Sequence, residues 1–157
     1  METGGCVWLT GRAGAGKRTI GAVIVAELDR RGGPGALLDA ATIGTRLVDG
    51  PDALAWCCAL LTTNGVTTVV AVPLDARDDR ELLREAVPGF VEIFLDAPPG
   101  VCAERAGRSD ADYEEPYAPD LRVPTHGRDV AASAAQVLSF LEERGMLAHD
   151  PLRRSES

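Results

Sequence analysis

An unbroken apolar run, Cys6-Val7-Trp8-Leu9-Thr10, passes directly into Gly11-Arg12-Ala13-Gly14-Ala15-Gly16-Lys17. From Lys17 to about Arg30 the apolar side chains Ile20, Val23, Ile24 and Leu28 then recur at helical spacing. A buried strand that turns through glycines straight into a helix leaves the first N–H groups of that helix unpaired, and they need a partner. The turn fits G-x-x-x-x-G-K, in which backbone amides wrap a polyphosphate and the lysine reaches its outer phosphates. The helix dipole adds to that field. The plainer alternative is a glycine-rich turn with no ligand, and Lys17 argues against it. Ala13, Gly14, Ala15, Gly16, Lys17, Arg18 and Thr19 are therefore the candidate nucleotide-binding residues.

The residue after the lysine is irregular. A Ser or Thr hydroxyl ordinarily holds Mg²⁺ there, and this chain has Arg18. Two readings stand side by side. In one, the guanidinium faces the site and neutralises phosphate charge itself. In the other, it points to solvent or to a surface acid, and any Mg²⁺ is held by water and phosphates. Thr19 does not take over, because one further helical residue turns the side chain by about 100°. No residue is assigned as a metal ligand, and Mg²⁺ is left as a cofactor without its usual protein partner.

Beyond the loop, strands alternate with helices. Strands are expected at Ala36–Asp39, Val66–Val72, Phe90–Leu95 and, shorter, Leu121–Val123. Helices are expected from Asp52 to Thr63, from Arg77 to Val87, from Pro98 to Arg105 and from Asp129 to Arg144. The polar stretch Ala106 to Asp120 reads as a loop. Strands that are apolar throughout imply a parallel sheet covered on both faces. The expected fold is a three-layer α/β/α P-loop NTPase with about five parallel strands, forming one domain over residues 1–148 with a flexible tail at 149–157. Ligands in such a sheet sit at the carboxyl ends of the strands. That edge gathers the loop, Asp39, Pro73 to Arg77 and Asp96 to Pro99.

Composition narrows the partners. The chain of 157 residues carries a net charge of −8, which disfavours a nucleic-acid backbone as partner. Four cysteines without C-x-x-C spacing and only two histidines, His126 and His149, make a structural zinc site improbable. No run reaches membrane-spanning length and the amino terminus shows no signal peptide, so the expected setting is cytoplasmic, with free thiols.

Taken in order, several segments resemble the adenylylsulfate kinase family, P-loop kinases that phosphorylate the ribose 3′-hydroxyl of adenylyl sulfate. Gly11 to Lys17 with Thr19-Ile20 is similar to that family's G-L-x-G-A-G-K-S-T-I, and Leu37-Leu38-Asp39 to its L-L-D-G-D. Phe90 to Pro98, Val101-Cys102, Glu104-Arg105, Asp120-Leu121, Thr125 and the last helix to Gly145 follow it too, so the resemblance runs from Val7 to Leu147. It implies Lys17 and Asp39 as catalytic residues, with Asp39 orienting or deprotonating the attacking hydroxyl, and Arg105 against the nucleotide. It leaves a homodimer open. The chain departs from the pattern at Arg18, at Ala41 where a second acid stands, in a short segment between Ile43 and Trp56, and in a shortened lid between Arg105 and Tyr117.

Each remaining feature has a plainer alternative. Asp39 also suits a helix cap near Thr42, and Arg105 also suits pairing with Glu104. Asp75, Arg77, Asp78, Asp79 and Arg80 read as a solvated helix start, Trp8 and Trp56 as core aromatics, and His126 as a surface residue. Two functions follow. The first is a kinase that moves the ATP γ-phosphoryl group to a hydroxyl of adenylyl sulfate or a related small molecule. The alternative is a catalytically impaired nucleotide-binding protein, acting as a sensor or as the partner of an enzyme.

Overall fold

A computed structural model describes residues 4–43, 50–147 and 152. The elements run β1 (Cys6–Thr10), α1 (Lys17–Arg30), β2 (Gly35–Asp39), α2 (Ala40–Ile43), α3 (Pro51–Thr63) and β3 (Thr67–Ala71), followed by α4 (Arg77–Ala86), β4 (Phe90–Asp96), α5 (Pro99–Ala106), β5 (Leu121–Pro124) and α6 (Val130–Glu143). The strands form one parallel sheet in the order β2-β3-β1-β4-β5. Apart from Leu152, the expected tail at 149–157 lies outside the described residues, as does part of the short segment after Ile43.

Alternation along β1 builds the two covered faces. Val7 and Leu9 join Ile20, Ile24 and Leu28 of α1 with Val137 and Leu141 of α6. Cys6 and Trp8 join Leu54, Ala55 and Cys58 of α3 with Leu83 of α4 and Val87 just beyond it. Helices therefore cover both sides, giving the three-layer α/β/α P-loop fold. Each fully buried aliphatic side chain adds roughly 1.5–3 kcal/mol of transfer free energy, which is why most positions of the central strands are apolar. Because β1 has β3 on one side and β4 on the other, the chain leaves it in both directions. A crevice opens at the carboxyl end of such a strand.

Two expectations fail. Trp56 is 70% exposed rather than in the core. The buried stripe of α3 is Leu54, Ala55, Cys58 and Thr62, and position 56 is turned away from it; α3 is apolar on nearly every side, so its periodicity does not mark which face is covered. Arg80 does not belong to a solvated helix start, being 1% exposed. It stands three residues before Leu83 and seven before Val87, on the inward face of α4.

Candidate active site

The loop from Gly11 to Gly16 leaves the end of β1 and opens α1 with no side-chain cap. Its N-terminal amides are therefore free for an anion. Gly16 has φ +99° and Gly14 φ +84°, backbone that L side chains rarely adopt. At Gly14 a Cβ would also lie 2.5 Å from the Cys102 carbonyl oxygen, so the loop is pressed against α5 in a way only glycine permits. Lys17 Nζ donates to the carbonyls of Gly11 at 2.6 Å and Arg12 at 3.1 Å, which holds the ammonium across the loop mouth. Partial burial lowers the Lys17 pKa, while the charges of Asp110 and Asp75 oppose that shift.

Two cavities flank this loop and share Gly14, Gly16 and Thr19. The first, about 370 Å³, is walled by Ala15, Ile20, Arg105, Thr125, Arg128, Asp129, Val130 and Ser133. Inside its wall the Thr125 hydroxyl is buried with no hydrogen-bond partner, a cost that a bound polar edge would remove. The second, about 300 Å³, is walled by Ala13, Lys17, Arg18, Ala71, Pro73 and Arg108. A further cavity of about 320 Å³ lies at the opposite sheet edge among glycines, Met146 and Leu147, with no titratable side chain among the described residues that line it. A fourth cavity, of about 360 Å³, is lined by Arg77, Arg80, Glu81, Glu92, Glu114 and Tyr117, so the loop is set apart by its uncapped helix start rather than by charge alone.

Ala13, Gly14, Ala15, Gly16, Lys17, Arg18, Thr19 and Arg105 all border one or both cavities. Arg105 is exposed and lines the first. Asp39, buried at the end of β2, caps the turn that follows, since its Oδ1 accepts the Thr42 N–H at 2.8 Å and the Thr42 hydroxyl at 3.0 Å, and it is not among the residues lining either loop cavity. Its Oδ2 faces Arg18 Nε at 3.1 Å. Hydrogen bonding from Thr42, helped by Arg18, lowers the Asp39 pKa, so it is a carboxylate at neutral pH and a weak base. Arg18 thus points neither to solvent alone nor to a surface acid. Between the Arg18 and Asp39 side chains there is no hydroxyl and no free carboxylate oxygen to receive a metal, so this pair does not fit a protein-held Mg²⁺. Among the described residues no group of three or more His, Cys, Asp or Glu side chains is gathered for a metal.

The segment between Arg105 and Tyr117 is stitched to this site, which sequence reasoning missed. Asp110 Oδ2 accepts the Ala13 N–H at 2.6 Å, and its carbonyl accepts from Arg12 at 3.1 Å. The Tyr113 hydroxyl meets Thr10 Oγ1 at 3.0 Å at the end of β1, and burial pushes its pKa up to about 12. The Glu114 N–H donates to the Asp75 carbonyl at 3.0 Å. Arg80 donates to the carbonyls of Leu74, Asp75 and Glu114 and pairs with buried Glu92 at 3.2 Å. Burial raises the pKa of Asp75, and neighbouring Asp110 raises it further. Two tyrosines in a polar stretch, and an arginine on the apolar side of a helix, were the available signals.

Comparison with known proteins converges on one family. The adenylylsulphate kinase profile matches residues 3–109. An adenylyl-sulfate kinase of Rippkaea orientalis is 31% identical, covering 94% of this chain and 96% of its own. The Mycobacterium tuberculosis APS kinase CysC, solved with AMPPNP and APS, is 25% identical with a TM-score of 0.79 and covers 90% of this chain and 99% of its own. A hexameric APS kinase from Thiobacillus denitrificans is 27% identical at a TM-score of 0.73; the match covers 93% of this chain and 30% of that one. With a P-loop at the carboxyl edge of this sheet, a profile over most of its length and relatives matched nearly end to end, the chain belongs to the adenylylsulphate kinase family.

Proposed function

We propose that residues 1–148 act as one kinase domain that transfers the γ-phosphoryl group of ATP to a hydroxyl of adenylyl sulfate. The observation that carries this reading is the uncapped start of α1, with Lys17 held across the loop mouth between two cavities. The family and the Mycobacterium tuberculosis relative solved with AMPPNP and APS support it. In this reading the adenine side of ATP occupies the cavity of Arg105 and Thr125, where the unpartnered hydroxyl meets a polar base edge. The phosphates lie against the loop from Gly14 to Thr19, at the free amides that open α1, and Lys17 neutralises the terminal oxygens.

The acceptor oxygen forms its bond to the γ-phosphorus as the bond to the β–γ bridging oxygen breaks, and ADP leaves. Little proton abstraction is needed early in so loose a transition state. A carboxylate whose pKa is lowered therefore suits Asp39 to orienting the hydroxyl more than to deprotonating it, and the proton passes to the phosphoryl oxygens or to solvent. A cytoplasmic setting belongs to the same reading, supported by four free cysteines. Among the described residues no helix is long and apolar enough to cross a membrane.

The test is chromatographic detection of a product one phosphoryl group heavier than adenylyl sulfate, formed with ATP and magnesium, with Lys17→Met as control. Product from the parent and not from K17M is expected. ATP binding with no product from adenylyl sulfate or related nucleotides would favour the sensor reading instead.

A further inference from the structure

We propose that Arg18 is a built-in positioning cation at the phosphate end of this site, bridging the loop to Asp39 where a metal ion would otherwise be held, so that nucleotide affinity here depends little on Mg²⁺. This rests on the nucleotide-binding part of the function proposed above.

Three observations carry it. Arg18 borders the same cavity as Lys17 and Arg108, so among the described residues three cations and no carboxylate line it. Such a lining suits a polyphosphate with its full charge, since a cation that is already in place neutralises it without being recruited. Second, Arg18 Nε lies 3.1 Å from Asp39 Oδ2, while Asp39 Oδ1 is filled by Thr42. Both oxygens of the carboxylate that would face a metal thus have protein partners, and the guanidinium is aimed by a buried one. Third, the Arg18 side chain is 73% exposed and its Nη groups have no partner beyond that pair among the described contacts. They are free to donate two parallel hydrogen bonds to phosphate oxygens, a geometry that lysine or a hydroxyl cannot supply. Exposure also means that the residue is not needed for the core.

The test measures the dissociation constant of AMPPNP by calorimetry, with magnesium and with EDTA, for the parent and for Arg18→Ser. The quantity read is the ratio of the two constants. R18S restores the hydroxyl and removes the fixed charge, so its ratio is expected to exceed the parent's by about tenfold, the effect of one or two charge-assisted hydrogen bonds. An increase smaller than about threefold would overturn the proposal. Thermal melting of R18S checks that the fold persists. Should neither protein bind AMPPNP in either buffer, the nucleotide reading itself fails, and this inference with it; binding with unchanged ratios removes the inference alone.

Discussion

Arg80→Met tests how the site is held together. The Arg80 side chain is 1% exposed and Glu92 4%, with Nε and Oε2 3.2 Å apart. Methionine keeps much of the volume but deletes that pair and the donors to Leu74 O, Asp75 O and Glu114 O. Glu92 is left in the interior with Arg84 at 3.5 Å as its remaining cation. Breaking one side of a buried pair costs about 3–5 kcal/mol. For a chain of this size that is a fall in melting temperature of roughly 6–20 °C.

The pH dependence has a definite sign. Burial already raises the Glu92 pKa, and Arg80 is the largest influence opposing that. Without Arg80 the folded pKa rises further above the unfolded value. A carboxyl in that position contributes stability below the unfolded pKa and loses it as pH rises through the folded one. The R80M deficit is therefore expected to grow from about pH 4 to about pH 7. Urea denaturation at both pH values measures it, and the double variant Arg80→Met, Glu92→Leu should recover at least half of the loss by removing both charges. A deficit under about 1 kcal/mol at neutral pH, or strictly additive single effects, would refute this account of the pair.

Gly14→Ala places a Cβ 2.5 Å from Cys102 O at positive φ; loss of at least about 1–2 kcal/mol from the backbone alone is expected by denaturation, with weakened nucleotide binding. Tyr113→Phe removes the hydroxyl that meets Thr10 and should cost about 0.5–1.5 kcal/mol, read by melting with the lid otherwise in place. Glu27 is held down to about 2 by Arg30 and Arg31. Its contribution is thus present above the ordinary carboxylate pKa and disappears as pH falls through the folded value, so Glu27→Gln should be less stable at neutral pH by up to about 1 kcal/mol. That gap should close as pH drops from 4.5 towards about 2.

Much of this molecule was legible before any coordinates. The strand–loop–helix start, the five parallel strands and the sheet edge that carries the loop and Asp39 all follow from apolar runs, glycines and turn residues, which act locally. What escaped depends on distant partners. Asp110 looked like one acid in a polar loop, yet its carboxylate reaches the Ala13 amide 97 positions away. Arg80 belonged to a charge run, and only the inward face of α4 distinguishes it from its neighbours. Trp56 was misread because an all-apolar helix carries no sign of which face is covered. For Asp39 the structure shows the capping contact with Thr42 and places Arg18 on its second oxygen, a pairing that no local pattern announces.

The central claim is phosphoryl transfer to adenylyl sulfate, and phosphorus NMR of ATP and adenylyl sulfate mixed with the protein observes it directly. The account predicts loss of the γ-phosphorus signal, growth of ADP and appearance of a new phosphomonoester on the adenylyl sulfate ribose. ATP that stays intact, or is hydrolysed to free phosphate without that monoester, while calorimetry shows the nucleotide bound, would contradict it.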